Sequence, residues 1–345
     1  MKKVTIQDVA KELNLSRNTV AKALNNSDTV AYETRYVVIK KAYEMGYSKL
    51  LPAVRNEFKI KDRLSDTKTV IVLARRELST FWNRIIMGIS DELNKNNCKL
   101  EFEFISEEDE VNISIPENLT RDADGMIILS VFSQEYTKRL LEFDIPVVFL
   151  DAPQDIAPTC SVGDVVLFEG RSSVKKMTES MIAEGARQIA FIGDITYCKS
   201  IYERYQGYCM AMLEAGLTVD EELVIKQHVP KKYYDYEEVR AAIESFPYMP
   251  EGIVCANDDI AKDVITYLKE KQIQIPNDVM ISGFDNKDET AFLTPSLTTA
   301  YISNQRMGKR LVQQLMWRIE NIEMPHELIT VNTEVIYRDS TNRHK

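Results

Sequence analysis

Arg17 and Asn18 open a segment with helical spacing, and Lys22 lies one turn further along the same side. These side chains can read base edges in a major groove: a guanidinium takes guanine O6 and N7 together, and a carboxamide pairs with adenine N6 and N7. Around them Thr5, Ser16, Thr19 and Asn25 are short hydrogen-bonding groups of the kind that fix register on phosphates without reading sequence. A second set is dispersed along the chain. Asp151 and Asp285 each follow an apolar run, Asn257-Asp258 follows another, and Arg204 precedes a helix whose apolar side includes Tyr208, Met212 and Leu213. Carboxylates, an amide and a guanidinium, with Phe81 or Trp82 to cover a ring face, suit a polyhydroxylated small molecule. Taken singly, an Asp after a strand is more often a turn residue or a helix cap. The usual catalytic signatures are missing: no Gly-x-Gly-x-x-Gly, Gly-x-x-x-x-Gly-Lys, His-Glu-x-x-His or Gly-x-Ser-x-Gly occurs.

The elements that must carry the first set are legible in residues 1–47. Ile6, Val9, Ala10 and Leu13 share one helical face, and Thr5 with Asp8 forms a capping box. Asn14-Leu15-Ser16 breaks that helix, Asn14 being suited to the left-handed backbone of a tight turn and Ser16 to an N-cap. A second helix turns Val20, Ala23 and Leu24 inward, and a third, at about 32–45, buries Val38, Ala42 and Met45 before Gly46 ends it. Two short helices joined by a three-residue turn, with a third across them, read as a helix-turn-helix whose second helix enters the major groove.

Charge follows the same division. The chain of 345 residues carries −10 overall, yet residues 1–60 hold eleven Lys and Arg against six Asp and Glu, a balance of +5. The remainder carries −15, an asymmetry that suits a head touching a polyanion, although +5 over sixty residues equally serves to keep a small domain soluble. No stretch approaches the roughly 18–20 apolar residues of a membrane span, and the N-terminus lacks the apolar core of a signal peptide. Five scattered cysteines without a Cys-x-x-Cys pair fit reduced thiols in a cytoplasm, and three distant histidines offer no metal cluster. A cytoplasmic location is expected, with no membrane partner.

From Thr69 onward, apolar runs at 70–74, 100–105, 126–129, 147–150, 188–192, 252–255 and 279–284 alternate with amphipathic helices, which predicts parallel sheets covered on both faces. A faint repeat is present: Asp124-Gly125-Met126-Ile127-Ile128 is echoed by Glu251-Gly252-Ile253-Val254-Cys255. Ile145-Pro146 leads to Asp151 as Ile275-Pro276 leads to Asp285. Two similar open α/β halves facing one another are implied, with ligand groups beyond the carboxyl ends of the strands.

Val4-Thr5-Ile6-x-Asp8-Val9-Ala10, Leu15-Ser16-x-x-Thr19-Val20, Ala23-Leu24-Asn25, Thr34-Arg35 and Gly46-Tyr47, in this order and spacing, resemble the N-terminal domain of the LacI/GalR family of bacterial transcription regulators. Ala21, Lys22 and Asn14 stand where that family usually has Ser, Arg and Gly, and Ala31 stands where a capping Ser is usual. Asp124-Gly125-x-Ile127, Ile145-Pro146-Val147-Val148 with Asp151, Glu203-Arg204-x-x-Gly207-Tyr208, Ala256-Asn257-Asp258, Gly283-Phe284-Asp285 and Tyr337-Arg338-Asp339-Ser340-Thr341 resemble its effector-domain motifs. The resemblance implies an all-α helix-turn-helix head on an α/β periplasmic-binding-protein-like body of two Rossmann-like lobes. The divisions expected are a head at 1–47, a hinge or linker at 48–67 and a body at 68–345. Within the body an N-lobe would take about 68–160 and 300–325, and a C-lobe about 161–299 and 326–345. The positions of Phe81, Trp82, Arg204, Asn257 and Asp285 would line the effector pocket, with Asp151 near it. In the link, Pro52 would open a hinge helix with Val54 or Phe58 as a minor-groove wedge, or the segment is a charged linker that inserts nothing. Arg75-Arg76-Glu77 and Gly163-Asp164-Val165 depart from the family pattern near the pocket.

The function implied is that of a DNA-binding transcriptional repressor. A homodimer would bind a palindromic double-stranded operator under control of a small-molecule effector, a sugar or sugar derivative, with no further cofactor and no metal. Without a leucine heptad tail, a dimer is expected rather than a tetramer. Two other readings share some of these features: a cytoplasmic or transport sugar-binding protein without a DNA role, and a sugar-modifying enzyme with Asp151 and Asp285 as its acid/base pair. The basic head and the missing nucleophile and metal weigh against them.

Overall fold

A helix forms at Ile6–Glu12 (α1) because Thr5 and Asp8 close a reciprocal capping box, Thr5 Oγ1 accepting from Asp8 N and Asp8 Oδ2 accepting from Thr5 N at 2.8 Å. Asn14 then takes the left-handed conformation, φ 53°, which turns the chain sharply. Ser16 caps the next helix, Arg17–Leu24 (α2), accepting from Thr19 N at 3.0 Å. The third helix, Tyr32–Glu44 (α3), starts at Ala31 with no side-chain cap bond. Val9, Ala10, Val20, Ala23, Leu24, Val38, Ile39 and Ala42 form the buried centre of the three.

The computed structural model describes residues 4–25, 27, 29–45, 47, 67–75, 80–116, 119, 123–143, 145–153, 163–226 and 235–343. Expectations placed on Gly46, on Pro52, Val54 and Phe58 in the link, and on Arg76 and Glu77 lie outside these residues. The chain divides into a head unit that includes Met1–Thr67 and a body unit of Lys68–Leu119 and Ala123–Lys345.

In the body, β1 (Thr69–Arg75) lies between β2 (Lys99–Ile105) and β3 (Gly125–Ile128), followed outward by β4 (Val147–Leu150), β5 (Asp164–Phe168) and β11 (Leu328–Val331), all paired parallel. A second parallel sheet runs β7 (Val224–Ile225), β6 (Ile189–Ile192), β8 (Gly252–Cys255), β9 (Met280–Ser282). The central strands are buried along their length, as expected of sheets covered on both faces. Helices α4 (Thr80–Lys95) and α11 (Asn304–Glu320) pack on each other at the first sheet, and α7 (Arg171–Ala183) packs on α8 (Lys199–Glu214) at the second. Gly88 and Gly308 permit the α4–α11 contact; a Cβ at Gly308 would run into the carbonyl of Ile85. Beside the second sheet, β10 (Thr299–Tyr301) and β12 (Glu334–Ile336) pair antiparallel, with bridges from Ser282 to Thr298 and from Asp285 to Tyr301.

The lobe borders differ from those expected. β5 and β11 complete the first sheet, so residues 164–168 and 328–331 belong to the N-lobe rather than to the C-lobe. The chain leaves the N-lobe after Phe168, returns between β10 and α11, and leaves again after β11. The cause is Asp164, a buried carboxylate at the start of β5. It takes two bonds from Arg318, at 3.1 and 2.7 Å, one from Gln314 at 2.7 Å and one from Glu327 N at 2.9 Å. Those partners hold its pKa below the usual carboxylate range although burial pushes it up. The departure from the family at Gly163-Asp164-Val165 is thus a structural ion pair at the end of the sheet away from strand carboxyl ends.

The internal repeat has a common structural meaning. Asp124 Oδ2 accepts from Thr69 N at 2.8 Å and Glu251 Oε2 accepts from Arg187 N and Gln188 N at 2.5 and 3.1 Å, each acid closing the amino end of its own sheet. At the carboxyl ends, Asp151 and Asp285 both have positive φ, 63° and 113°.

Candidate functional site

On the head, α2 presents Arg17, Asn18 and Lys22 exposed, with Asn25 exposed at its end. Thr5, Ser16 and Thr19 are committed to caps: Thr5 Oγ1 donates to Asp8 Oδ2 at 2.7 Å, and the Ser16 and Thr19 hydroxyls lie 2.8 Å apart. In the Ser16–Thr19 pair one hydroxyl keeps its proton to donate to a phosphate oxygen, whereas Thr5 spends both its hydroxyl proton and its backbone N–H on Asp8.

In the body, the carboxyl ends of both sheets face a cleft of about 370 Å³, and Phe81, Trp82, Asp151, Arg204, Asn257 and Asp285 all line it. Phe81 and Trp82 open α4 and meet edge to face, with ring centroids 5.0 Å apart. Arg204 comes from the second turn of α8 and is buried. Its Nη1 donates to Ala256 O at 2.6 Å, its guanidinium carbon lies 3.7 Å from the centre of the Phe284 ring, and Nη2 stands 3.9 Å from Asp285 Oδ1. Its Nε is buried without a hydrogen-bond partner among the described residues. Asn257 Oδ1 caps the helix at Asp258–Glu270 (α10), accepting from Ile260 N at 3.0 Å. Asp151 reaches across the lobes: its Oδ1 accepts from Ala152 N at 2.8 Å and Ser200 N at 3.3 Å, and its Oδ2 accepts from the Ser200 hydroxyl. The cap that an Asp after a strand so often supplies is therefore made here to the first turn of α8 in the opposite lobe.

Two carboxyls, Asp285 in the cleft wall and Asp258 outside the lining, are displaced from the usual range. Burial pushes Asp285 up to about 6 against the pull of Arg204 and Lys287. Asp258, behind it, is pushed up to about 8, first by burial and next by the charge of Asp285. Its oxygens accept from Thr299 Oγ1 at 2.7 Å and Lys287 N at 2.9 Å.

Sequence reading did not single out Ser200, Tyr197, Asp259 or Lys287, which also line the cleft. Ser200 was within reach, standing one turn before Arg204 on the same helix. Lys287 pairs with Asp259 at 2.5 Å, a partnership that only the fold creates. Arg75 lines the cleft as well, but it pairs with Glu110 at 2.7 Å and lies over the Phe132 ring, so it is not an uncompensated cation. Among the described residues no group of three or more His, Cys, Asp or Glu is placed to hold a metal ion. None of the described helices is long and apolar enough to cross a membrane.

An exposed helix carrying Arg17, Asn18 and Lys22, together with a two-lobed cleft rich in hydrogen-bonding groups, fits a ligand-responsive DNA-binding regulator. Residues 5–49 match the family model of bacterial regulatory proteins, lacI family, and residues 178–341 match that of the periplasmic binding protein-like domain. The chain is 26% identical over 352 residues to the "Probable HTH-type transcriptional repressor ExuR" of Bacillus subtilis (strain 168), covering 99% of both. It is 26% identical over 342 residues to the HTH-type transcriptional repressor PurR of Pasteurella multocida (strain Pm70), covering 97% of this chain and 98% of that one. The transcriptional regulator CelR–cellobiose complex superposes with a TM-score of 0.69 at 21% identity, covering 98% and 100% of the two chains. The lac repressor dimer bound to operator and the anti-inducer ONPF gives 0.65 at 17% identity, with 99% of each covered. The chain belongs to the LacI family of bacterial transcription regulators and is a DNA-binding regulator with a small-molecule effector site.

Proposed function

We propose that the protein is a repressor that binds a palindromic operator as a homodimer in the cytoplasm and is controlled by a carbohydrate effector held in the interlobe cleft, not an enzyme that transforms it. The observation that carries this reading is the cleft lining. Hydrogen-bonding groups come from both lobes, Asp151 from one and Arg204, Asn257 and Asp285 from the other, with the Phe81–Trp82 pair as an apolar wall. A polyhydroxylated ring contacting both sides would bind one lobe arrangement better than another, which is the requirement for an allosteric response. The relative solved with cellobiose supports a sugar, and the one solved as a dimer on operator supports the assembly. Against an enzyme, the Asp151 carboxylate is occupied by the Ala152 and Ser200 donors.

The test is a thermal-shift screen of the full chain against neutral sugars, sugar acids, sugar phosphates and purines. A ligand at a hundred times its dissociation constant stabilises the fold by about 2.7 kcal/mol. Because Trp82 and Trp317 are the two indoles, a cleft ligand should change emission, and Trp82→Phe should remove most of that change. A hit that leaves Trp82 emission untouched would move the effector out of the cleft. The operator is to be obtained by selection from random duplex DNA. Arg17→Ala should then cost about 1–3 kcal/mol and relax specificity at one position per half-site. An unchanged selected sequence would remove Arg17 from base reading.

A further inference from the structure

A second concavity, about 600 Å³ in volume, shares no lining residue with the effector cleft. One wall is the first half of α11, with Arg306, Lys309 and Arg310. The other is made of the chain where it crosses between lobes: Tyr301 at the end of β10, Asn332 and Thr333 between β11 and β12, and Glu334 at the start of β12. Glu334 is the one acid in that lining. This is unusual in a body where acids outnumber bases 47 to 32 over residues 61–345. Among the described residues Arg306 has no ion-pair partner, and Arg310 donates to the neutral Gln314 Oε1 at 2.9 Å. Lys309 has its nearest carboxylate, Asp91, at 3.9 Å.

The spacing of these cations suits one ligand class. Arg306 and Arg310 are four residues apart on one helix and Lys309 is three from Arg306, so the three cations share one side of α11 and all line the groove. Forked guanidinium donors match phosphate oxygens geometrically, and their charge is not lost at any physiological pH. The position adds a consequence. α11 belongs to the N-lobe, whereas Tyr301 and Glu334 belong to the β10–β12 ribbon of the other side, so an occupant touches both partners of any lobe rotation. We propose that this groove is a second ligand site, for a small phosphate-bearing anion, and that occupancy ties α11 to the crossover segments and so biases lobe movement independently of the effector cleft.

Inorganic pyrophosphate is the probe, with sodium chloride of matched ionic strength as control. The full chain, its Trp82→Ala variant and an Arg306→Ala/Arg310→Ala double variant are melted with and without it. Arg306 is exposed and Arg310 partly so, and the double variant should fold normally without pyrophosphate. The parent and Trp82→Ala should melt several degrees higher with pyrophosphate than with salt, and the double variant should lose that shift. Because every variant keeps the basic head, anion binding there cancels in the comparison. Amide hydrogen exchange at 301–303 and 331–334 should slow in the parent alone or with Trp82→Ala. A shift of equal size in the double variant, no shift in the parent, or unchanged exchange at those segments would each overturn the proposal.

Discussion

At the scale of single residues, the cleft is built from groups whose charge state or bonding depends on the fold. Asp258 gives a direct test. Its folded pKa, about 8, lies above that of an unfolded aspartate near 3.9, so the native state holds a proton that the unfolded chain has lost. Its contribution is therefore fully present at low pH and is lost as pH rises toward 8, at about 1.4 kcal/mol per pH unit. Asp285, raised to about 6, acts in the same direction between pH 4 and 6. Chemical denaturation from pH 5 to 8 should show the parent losing stability relative to Asp258→Asn, which keeps the neutral form throughout. Parallel curves would mean that Asp258 is ionised in the fold. Asp151 supplies the second test. An Asn there tolerates the positive φ but cannot accept from both Ser200 donors as a carboxylate does. Asp151→Asn should cost about 1.5–3 kcal/mol in unfolding free energy. No loss would show that the interlobe bond is offset by solvation of the open cleft.

At the scale of elements, the sequence was most informative where a local rule decides the outcome. The Thr5–Asp8 box, the left-handed Asn14 and the Ser16 cap are short-range chemistry, and all three stand as their residue types require. The residues proposed for the effector were legible as a group because they close apolar strands or sit in the first turns of helices, and the parallel topology brings those ends to one cleft. What escaped was non-local. β5 begins with an Asp, which reads as a turn signal until Arg318 and Gln314, some 150 residues later, are seen to bury it. β11 is an edge strand with alternating exposure and no strong apolar run. Missing both strands displaced the lobe borders. Two element-level substitutions follow. Ala31→Ser should add the missing cap to α3 and raise the stability of the head by about 1 kcal/mol, read from its own denaturation curve. Gly308→Ala should push α11 off α4 and cost at least about 2 kcal/mol, since the added methyl meets backbone rather than a side chain that can move away. A Gly308→Ala protein as stable as the parent would mean that the two helices separate without loss.

At the scale of the whole molecule, the opposite charges of head and body restrict DNA contact to the head, and they make the assembly state measurable through salt. Each phosphate neutralised contributes about −0.9 to the slope of log affinity against log salt. A dimer that places two heads on one operator should therefore show about twice the slope of a monomer that places one. The body offers apolar surface for such pairing. Phe292 is 86% exposed, Met87 on α4 is 58% exposed, and Phe104 on the edge strand β2 is 45% exposed. In the proposed homodimer these are side chains that a second copy would cover, and the pairing is tested on two of them. Phe104→Glu combined with Phe292→Glu should shift the protein to monomer in sedimentation equilibrium while leaving its melting by circular dichroism close to that of the parent at low protein concentration. In anisotropy titrations with the selected operator, the same variant should bind more weakly and with about half the salt slope. A variant that remains dimeric with the full slope would place the subunit contact on other faces. A monomer that keeps the full slope would show that one head makes all the phosphate contacts, and that operator symmetry does not report the symmetry of the protein.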